Sequence, residues 1–105
     1  MENITPYNEK GQAHGLWEVY WPNGNLWNKG NYINGKTYGE WKLFWDNGNM
    51  RYKGDYINGK QHGYFEQYRE NGSLHYTGYF NNGEPNGLWV LYRSNGTLKE
   101  QLFYA

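Results

Sequence analysis

Three histidines, ten carboxylates and two serines are the side chains through which this chain could do metal, acid–base or nucleophilic chemistry. Their positions argue against all three. His14 and His62 occupy equivalent places, with Tyr38 and Asn86 in the matching places between and after them, so their recurrence belongs to a repeating framework. His75 falls in a different column with Trp27, Arg51 and Lys99. Metal ligands cluster and need partners that orient them, and no metal site is expected from residues so scattered. Glu18, Glu40 and Glu66 share outward columns, while Asp46 and Glu70 flank turns. No two carboxylates are forced into an apolar pocket, which is what raises a carboxyl pKa for proton transfer. Ser73 and Ser94 sit beside turns with no base in register. The expectation is a protein without catalytic residues, metal or cofactor.

What remains is binding chemistry. A register read from the turns pairs Tyr20 with Trp27, Phe44 with Arg51, Tyr68 with His75 and Tyr92 with Lys99. Such a strip of rings beside cations could dock a small anionic ligand, a nucleotide or a phospholipid head group, by stacking and charge. The plainer alternative is cross-strand packing, worth about 0.2–1 kcal/mol per pair.

The elements that must hold these residues are announced by Asn-Gly, which occurs at 23–24, 34–35, 47–48, 58–59, 71–72, 82–83 and 95–96. The spacing alternates 11 and 13, a period of 24 residues. Asn-Gly is the strongest short hairpin signal because a type I′ turn needs positive φ at both central residues. Each repeat therefore holds two turns and two strands. Strands are expected at about 15–21, 25–33, 38–45, 49–57, 62–69, 73–81, 86–93 and 97–104. No window shows helical periodicity. The fold class is all-β, a single-layer twisted antiparallel meander of about eight strands. Residues 1–10 match no copy and read as an N-terminal cap; repeats run about 11–34, 35–58, 59–82 and 83–105.

Two-residue loops at every Asn-Gly would place Trp17 opposite Gly30, Trp21 opposite Leu26, Trp41 opposite Gly54 and Phe65 opposite Gly78. A bare glycine leaves room for a ring to lie over its backbone. Alternation then gathers Trp17, Val19, Trp21, Leu26, Tyr32, Trp41, Leu43, Trp45, Met50, Tyr52, Tyr56, Phe65, Leu74, Tyr76, Phe80, Trp89, Leu91, Leu98, Leu102 and Tyr104 on one face, hereafter face one. Face two carries Glu18, Lys29, Glu40, Lys42, Lys53, Asp55 and Glu66. A single layer exposing so many rings exceeds the apolar patch normal for a monomer. Something must cover face one: its own curvature, the cap, a second copy or a partner.

Composition narrows the classes. Ten acidic and ten basic side chains cancel, so no field argues for a nucleic-acid polymer or an anionic membrane. Cysteine is absent and disulfide and thiolate chemistry with it. No stretch approaches the roughly 18 apolar residues of a membrane span, and the start is polar, unlike a secretory leader. The expectation is a cytoplasmic protein. Six Trp and twelve Tyr against two Val, two Ala and three Ile make a core of aromatic plates over glycine.

The copy Gly35-Lys-Thr-Tyr-Gly-Glu-Trp-Lys-Leu-Phe-Trp-Asp-Asn-Gly-Asn-Met-Arg-Tyr-Lys-Gly-Asp-Tyr, with His14-Gly15 and His62-Gly63, resembles MORN repeats, in the variant found in bacterial toxin–antitoxin-associated proteins. The likeness covers about residues 11–105. It departs from the eukaryotic repeat in having Trp or Phe at 17, 41, 65 and 89 and in its Asn-Gly hairpin before Leu or Met. The resemblance implies an elongated sheet that scaffolds and binds, with phospholipid binding proposed for some members, and it implies no catalytic residues. Because Arg69 and Arg93 replace Trp21 and Trp45 in the later copies, a protein partner is expected around the drier end, at Trp17, Trp21, Trp41, Trp45, Tyr32 and Tyr56. Neutralising a toxin or inhibiting a host defence enzyme by occlusion, as a phage-type inhibitor would, fits the size and the lack of chemistry. A homodimer, and sequestration of an anionic ligand on face two, are the competing expectations.

Overall fold

The Asn-Gly turns are of two kinds, and the difference sets the fold. The computed structural model describes residues 2–105. At Asn34, Asn58 and Asn82 φ is 49°, 51° and 51°, and the following glycines are also positive. Both central residues are thus left-handed, the type I′ combination. Ile33 pairs directly with Lys36, and Ile57 with Lys60. At the other four turns only the glycine is left-handed, as at Gly24 (φ 92°). There the Gly24 N–H donates to the Trp21 carbonyl at 2.9 Å and the Trp21 N–H to the Asn25 carbonyl at 2.8 Å. Pro22 and Asn23 form a type I turn and Gly24 is its bulge residue, a three-residue loop. The expectation of two-residue loops throughout is corrected at Asn23, Asn47, Asn71 and Asn95. The 11/13 alternation is the sequence trace of the two turn types.

The wider loop carries a second irregularity. Trp17 faces Gly30 and Val19 faces Asn28 as expected, but the register slips after Val19 and Tyr20 faces Leu26. The same slip sets Phe44 opposite Met50, Tyr68 opposite Leu74 and Tyr92 opposite Leu98. A one-residue slip moves side chains to the other face. The Leu/Met column therefore belongs with the Tyr/Phe column on face two, and Trp21 does not oppose Leu26.

The strands are β1 Gly15–Tyr20, β2 Leu26–Ile33, β3 Lys36–Phe44, β4 Met50–Ile57, β5 Lys60–Tyr68, β6 Leu74–Asn81, β7 Glu84–Pro85, β8 Gly87–Tyr92 and β9 Leu98–Tyr104. They form one antiparallel sheet in chain order, with β6 paired to both β7 and β8. The ninth strand, one more than expected, comes from Pro85. Proline cannot donate to a ladder, so the strand that runs continuously as β3 and β5, across a register shift in each ladder, is cut in the last copy into β7 and β8. The sheet is one layer thick, with principal extents of 47 × 35 × 11 Å.

The N-terminal segment covers the β1 edge. Ile4 and Glu18 exchange backbone bonds at 2.7 and 2.8 Å, Tyr7 bridges Ala13, and the Tyr20 N–H donates to Asn3 Oδ1 at 2.8 Å. Unpaired strand edges invite foreign pairing, and this one is closed. The β9 edge is open, with Phe103 78% exposed.

Candidate functional site

Face one carries two runs of rings in edge-to-face, tilted and stacked contact. Tyr7 meets Trp17 at 5.8 Å, Trp17 meets Tyr32 at 4.9 Å and Tyr32 meets Trp41 at 5.1 Å. Farther along, Phe65 contacts Tyr52 at 5.9 Å, and Phe80 and Trp89 each at 5.0 Å; Trp89 contacts Tyr104 at 5.6 Å. Such geometries add about 0.5–1.5 kcal/mol per pair beyond area burial. Among the described residues only Trp41 (6%), Tyr52 (6%) and Phe65 (4%) are buried hydrophobics, so the rings shield one another in mid-sheet within a single layer.

Glycine makes this packing possible, in a different pairing from the expected one. The ring over Gly30 is Trp41, from the next repeat, and its Nε1 donates to the Asn31 carbonyl at 3.1 Å. Trp89 does the same at Gly78, donating to Tyr79 at 3.0 Å. Trp17 faces Gly30 in the ladder but does not lie over it. The glycine columns therefore join one repeat to the next across the narrow Asn-Gly turns.

At the wide-turn rim a second column staples the repeats. Trp21 Nε1 donates to the Phe44 carbonyl at 3.1 Å, and Arg69 Nη2 to the Tyr92 carbonyl at 2.9 Å. The turn asparagines add to it. Asn23 and Asn25 donate to the Asp46 carbonyl at 2.6 and 2.9 Å, and Asn47 and Asn49 to the Glu70 carbonyl at 2.9 and 3.0 Å. At the opposite rim Gly35, Gly59 and Gly83 donate backbone N–H groups to Ala13, Thr37 and Gln61. His14 Nδ1 accepts from the Asn34 N–H at 3.1 Å and His62 Nδ1 from the Asn82 N–H at 3.4 Å. Both histidines are engaged as framework residues.

The strip of rings and cations comes apart under the register slip. Tyr20, Phe44, Tyr68 and Tyr92 lie opposite the Leu/Met column, and Tyr68 hydrogen-bonds Glu66 Oε1 at 3.0 Å. Trp27 instead stacks on Trp21, centroids 4.6 Å apart, and the Arg51 guanidinium lies 4.5 Å from the Trp45 ring centroid. His75 is held below the ordinary imidazole range, first by burial and then by the Arg69 and Lys99 charges. The diagonal pair at this rim thus changes along the sheet from Trp21/Trp27 through Trp45/Arg51 and Arg69/His75 to Arg93/Lys99. On face two, Glu18 pairs with Lys29 at 3.4 Å, and Glu40 with Lys42 at 3.4 Å and Lys53 at 4.0 Å. Exposed pairs of this kind contribute little stability.

Of the partner-face residues, Trp17, Tyr32 and Tyr56 are half-buried, as are Trp21 and Trp45 at the rim, and Trp41 is buried beneath its neighbours. The most exposed tryptophan of this group is Trp27 (39%), which the two-residue-loop register places on the wrong face. Sequence reasoning also passes over a hollow of about 440 Å³ in mid-sheet, lined by Gln61, Phe65 and Gln67 of β5 among others. The signal was present: at these three places the other copies have Ala, Thr or Pro, then Trp, then Val or Leu. Beside the hollow the Tyr52 hydroxyl leans over Gly54 and accepts from Gln61 Nε2 at 2.9 Å. Burial pushes the Tyr52 phenol well above its ordinary range, with the Gln61 bond opposing. Among the described residues no group of three His, Cys, Asp or Glu side chains could hold a metal ion.

One open antiparallel sheet, in which successive hairpins repeat glycine, ring and Asn-Gly columns, with Leu102 in place of the glycine in the last, and are stapled to one another at both rims, defines a hairpin-repeat protein. The model of the MORN repeat variant matches residues 13–34, 37–58, 61–82 and 85–105, and the chain belongs to that family. No curated protein matches it significantly. No helix in the described residues is long and apolar enough to cross a membrane.

Proposed function

We propose that this chain is a non-catalytic binding module that docks a protein partner on face one. The observation that carries the reading is two runs of packed rings, Tyr7 to Trp41 and Tyr52 to Tyr104, on one face of a sheet one layer thick. Membership of a repeat family whose members generally serve as binding modules supports it. The docking centre is the Trp21/Trp27 stack with the neighbouring Trp45/Arg51 pair, because Trp and Arg beside packed rings are what interface hot spots are made of, and Trp27 among them is exposed. Trp41, Tyr32 and Tyr56 continue that surface along the same face, and Trp17, in contact with Tyr7, extends it toward the cap.

Within this reading the finer role is that of a cytoplasmic antitoxin or phage-type inhibitor, which blocks a bacterial enzyme by covering it. The face-two strip is the weaker alternative, since its rings and cations lie on different columns. The test is affinity capture from the cells that encode the protein, with the parent chain and with Trp27→Ala side by side. A protein retained by the parent and lost with the variant supports docking at the stack. Identical retention by both removes it. Light scattering on the purified chain separates a self-dimer from a foreign partner.

A further inference from the structure

We propose that the hollow beside Phe65 is a binding site for a free nucleotide. Beyond its polar lining, it stands on a concerted departure within one strand. Over Gly30 and Gly78 an indole fills the space and bonds the adjacent carbonyl. Over Gly54 the tryptophan is replaced by Phe65, and the smaller ring and the Tyr52 hydroxyl share the place. The cavity of about 440 Å³ lies next to them, within the range of about 300–1,000 Å³ typical of small-molecule sites.

The same strand places two amides in this cavity. Gln61 stands where the other copies carry Ala13, Thr37 and Pro85, and Gln67 where they carry Val19, Leu43 and Leu91. Both are half-buried on the apolar face. Gln61 has a partner in Tyr52, and the Gln67 amide makes no hydrogen bond among the described residues. A glutamine amide offers a donor and an acceptor side by side, the pattern that matches a nucleobase edge. Trp89 contributes a ring to the wall, on which a base can stack. Arg51 lines the mouth, lies against Trp45 and has no carboxylate partner among the described residues. Its planar fork suits a phosphate. Base edge, stacking ring and phosphate cation thus converge in one cavity of nucleotide size.

The site does not depend on the protein-docking reading, since a chain that captures no protein can still bind nucleotide. The experiment is calorimetric titration of the intact chain with each of the four ribonucleoside monophosphates, with adenosine, with inorganic phosphate and with a short single-stranded oligonucleotide. At least one monophosphate binds saturably, and the matching nucleoside and phosphate alone each bind about tenfold or more weakly. Phe65→Trp, which installs the residue of the other three copies, fills the hollow and abolishes binding while the melting temperature is kept or raised. Gln67→Leu and Arg51→Met each weaken binding by about tenfold. The proposal is overturned if no monophosphate binds, if Phe65→Trp binds as the parent does, or if the oligonucleotide alone binds.

Discussion

At the scale of single residues, the most constrained atoms are those that are missing. A Cβ at Gly30 would run into the Trp41 indole, and one at Gly78 would lie 2.5 Å from Trp89 Cδ2. Gly30→Ala is expected to cost about 2–4 kcal/mol, since ring and backbone must part and the Asn31 bond lengthens. Gly39→Ala meets no atom within 4 Å and suffers only from its φ of 79°, at about 1 kcal/mol. Urea titration of both variants checks the ranking. Tyr52 makes a second prediction, about pH. Its folded pKa is raised by burial above the unfolded value. The contribution is therefore whole below about pH 10, and is lost as pH rises further, because the unfolded chain releases a proton that folded Tyr52 keeps. Tyr64 and Tyr68 shift the same way, through burial and the Glu66 carboxylate. Tyr52→Phe should flatten the alkaline fall in melting temperature; curves of equal slope for variant and parent would refute the assignment.

At the scale of strands and turns, the sequence was legible wherever a local rule sufficed. Seven Asn-Gly pairs announce seven hairpins, and the within-hairpin register was right from Gly15 to Val19. Legibility failed beyond Val19, because dipeptide chemistry does not say whether the turn closes over two residues or three. That single residue moved Trp27 and Arg51 from one column to another and with them the candidate site. It failed again across the narrow turns, where a register shift between Lys29 and Asn31 breaks the two-residue pairing beside Gly30, the glycine that the Trp41 ring covers. The rim staples were hidden for a related reason: Trp21 and Arg69 look unlike but reach equivalent carbonyls, those of Phe44 and Tyr92. The two residues should then be interchangeable where the indole can reach the carbonyl, which it does not at Trp45, whose buried Nε1 has no partner among the described residues. Arg69→Trp is expected to leave stability nearly unchanged, and Arg69→Leu to cost about 1–2 kcal/mol by stranding a polar group. Equal losses from both would show that the carbonyl bond contributes nothing.

At the scale of the whole molecule, a sheet 11 Å thick has no interior in the usual sense. Its cohesion is nearest-neighbour, repeat upon repeat, as in other arrays whose units touch only those beside them. The cap seals one end, and the open β9 edge leaves the other as a place where a strand could be added. The turns that organise this array also give it a lifetime. In Asn-Gly the glycine nitrogen can attack the asparagine side-chain carbonyl, expelling ammonia and closing a succinimide that water opens to aspartate or isoaspartate. At Asn23 and Asn47 that side chain is held at both ends, accepting from the residue two ahead and donating to the next repeat. Asn58 and Asn82, at the left-handed turns, have no such tether among the described residues. Peptide mapping of aged samples should find deamidation first at these two and last at Asn23 and Asn47. Each event adds a negative charge to a chain that starts at zero, and isoaspartate lengthens the backbone inside a two-residue turn, so the array should age from its narrow rim inward.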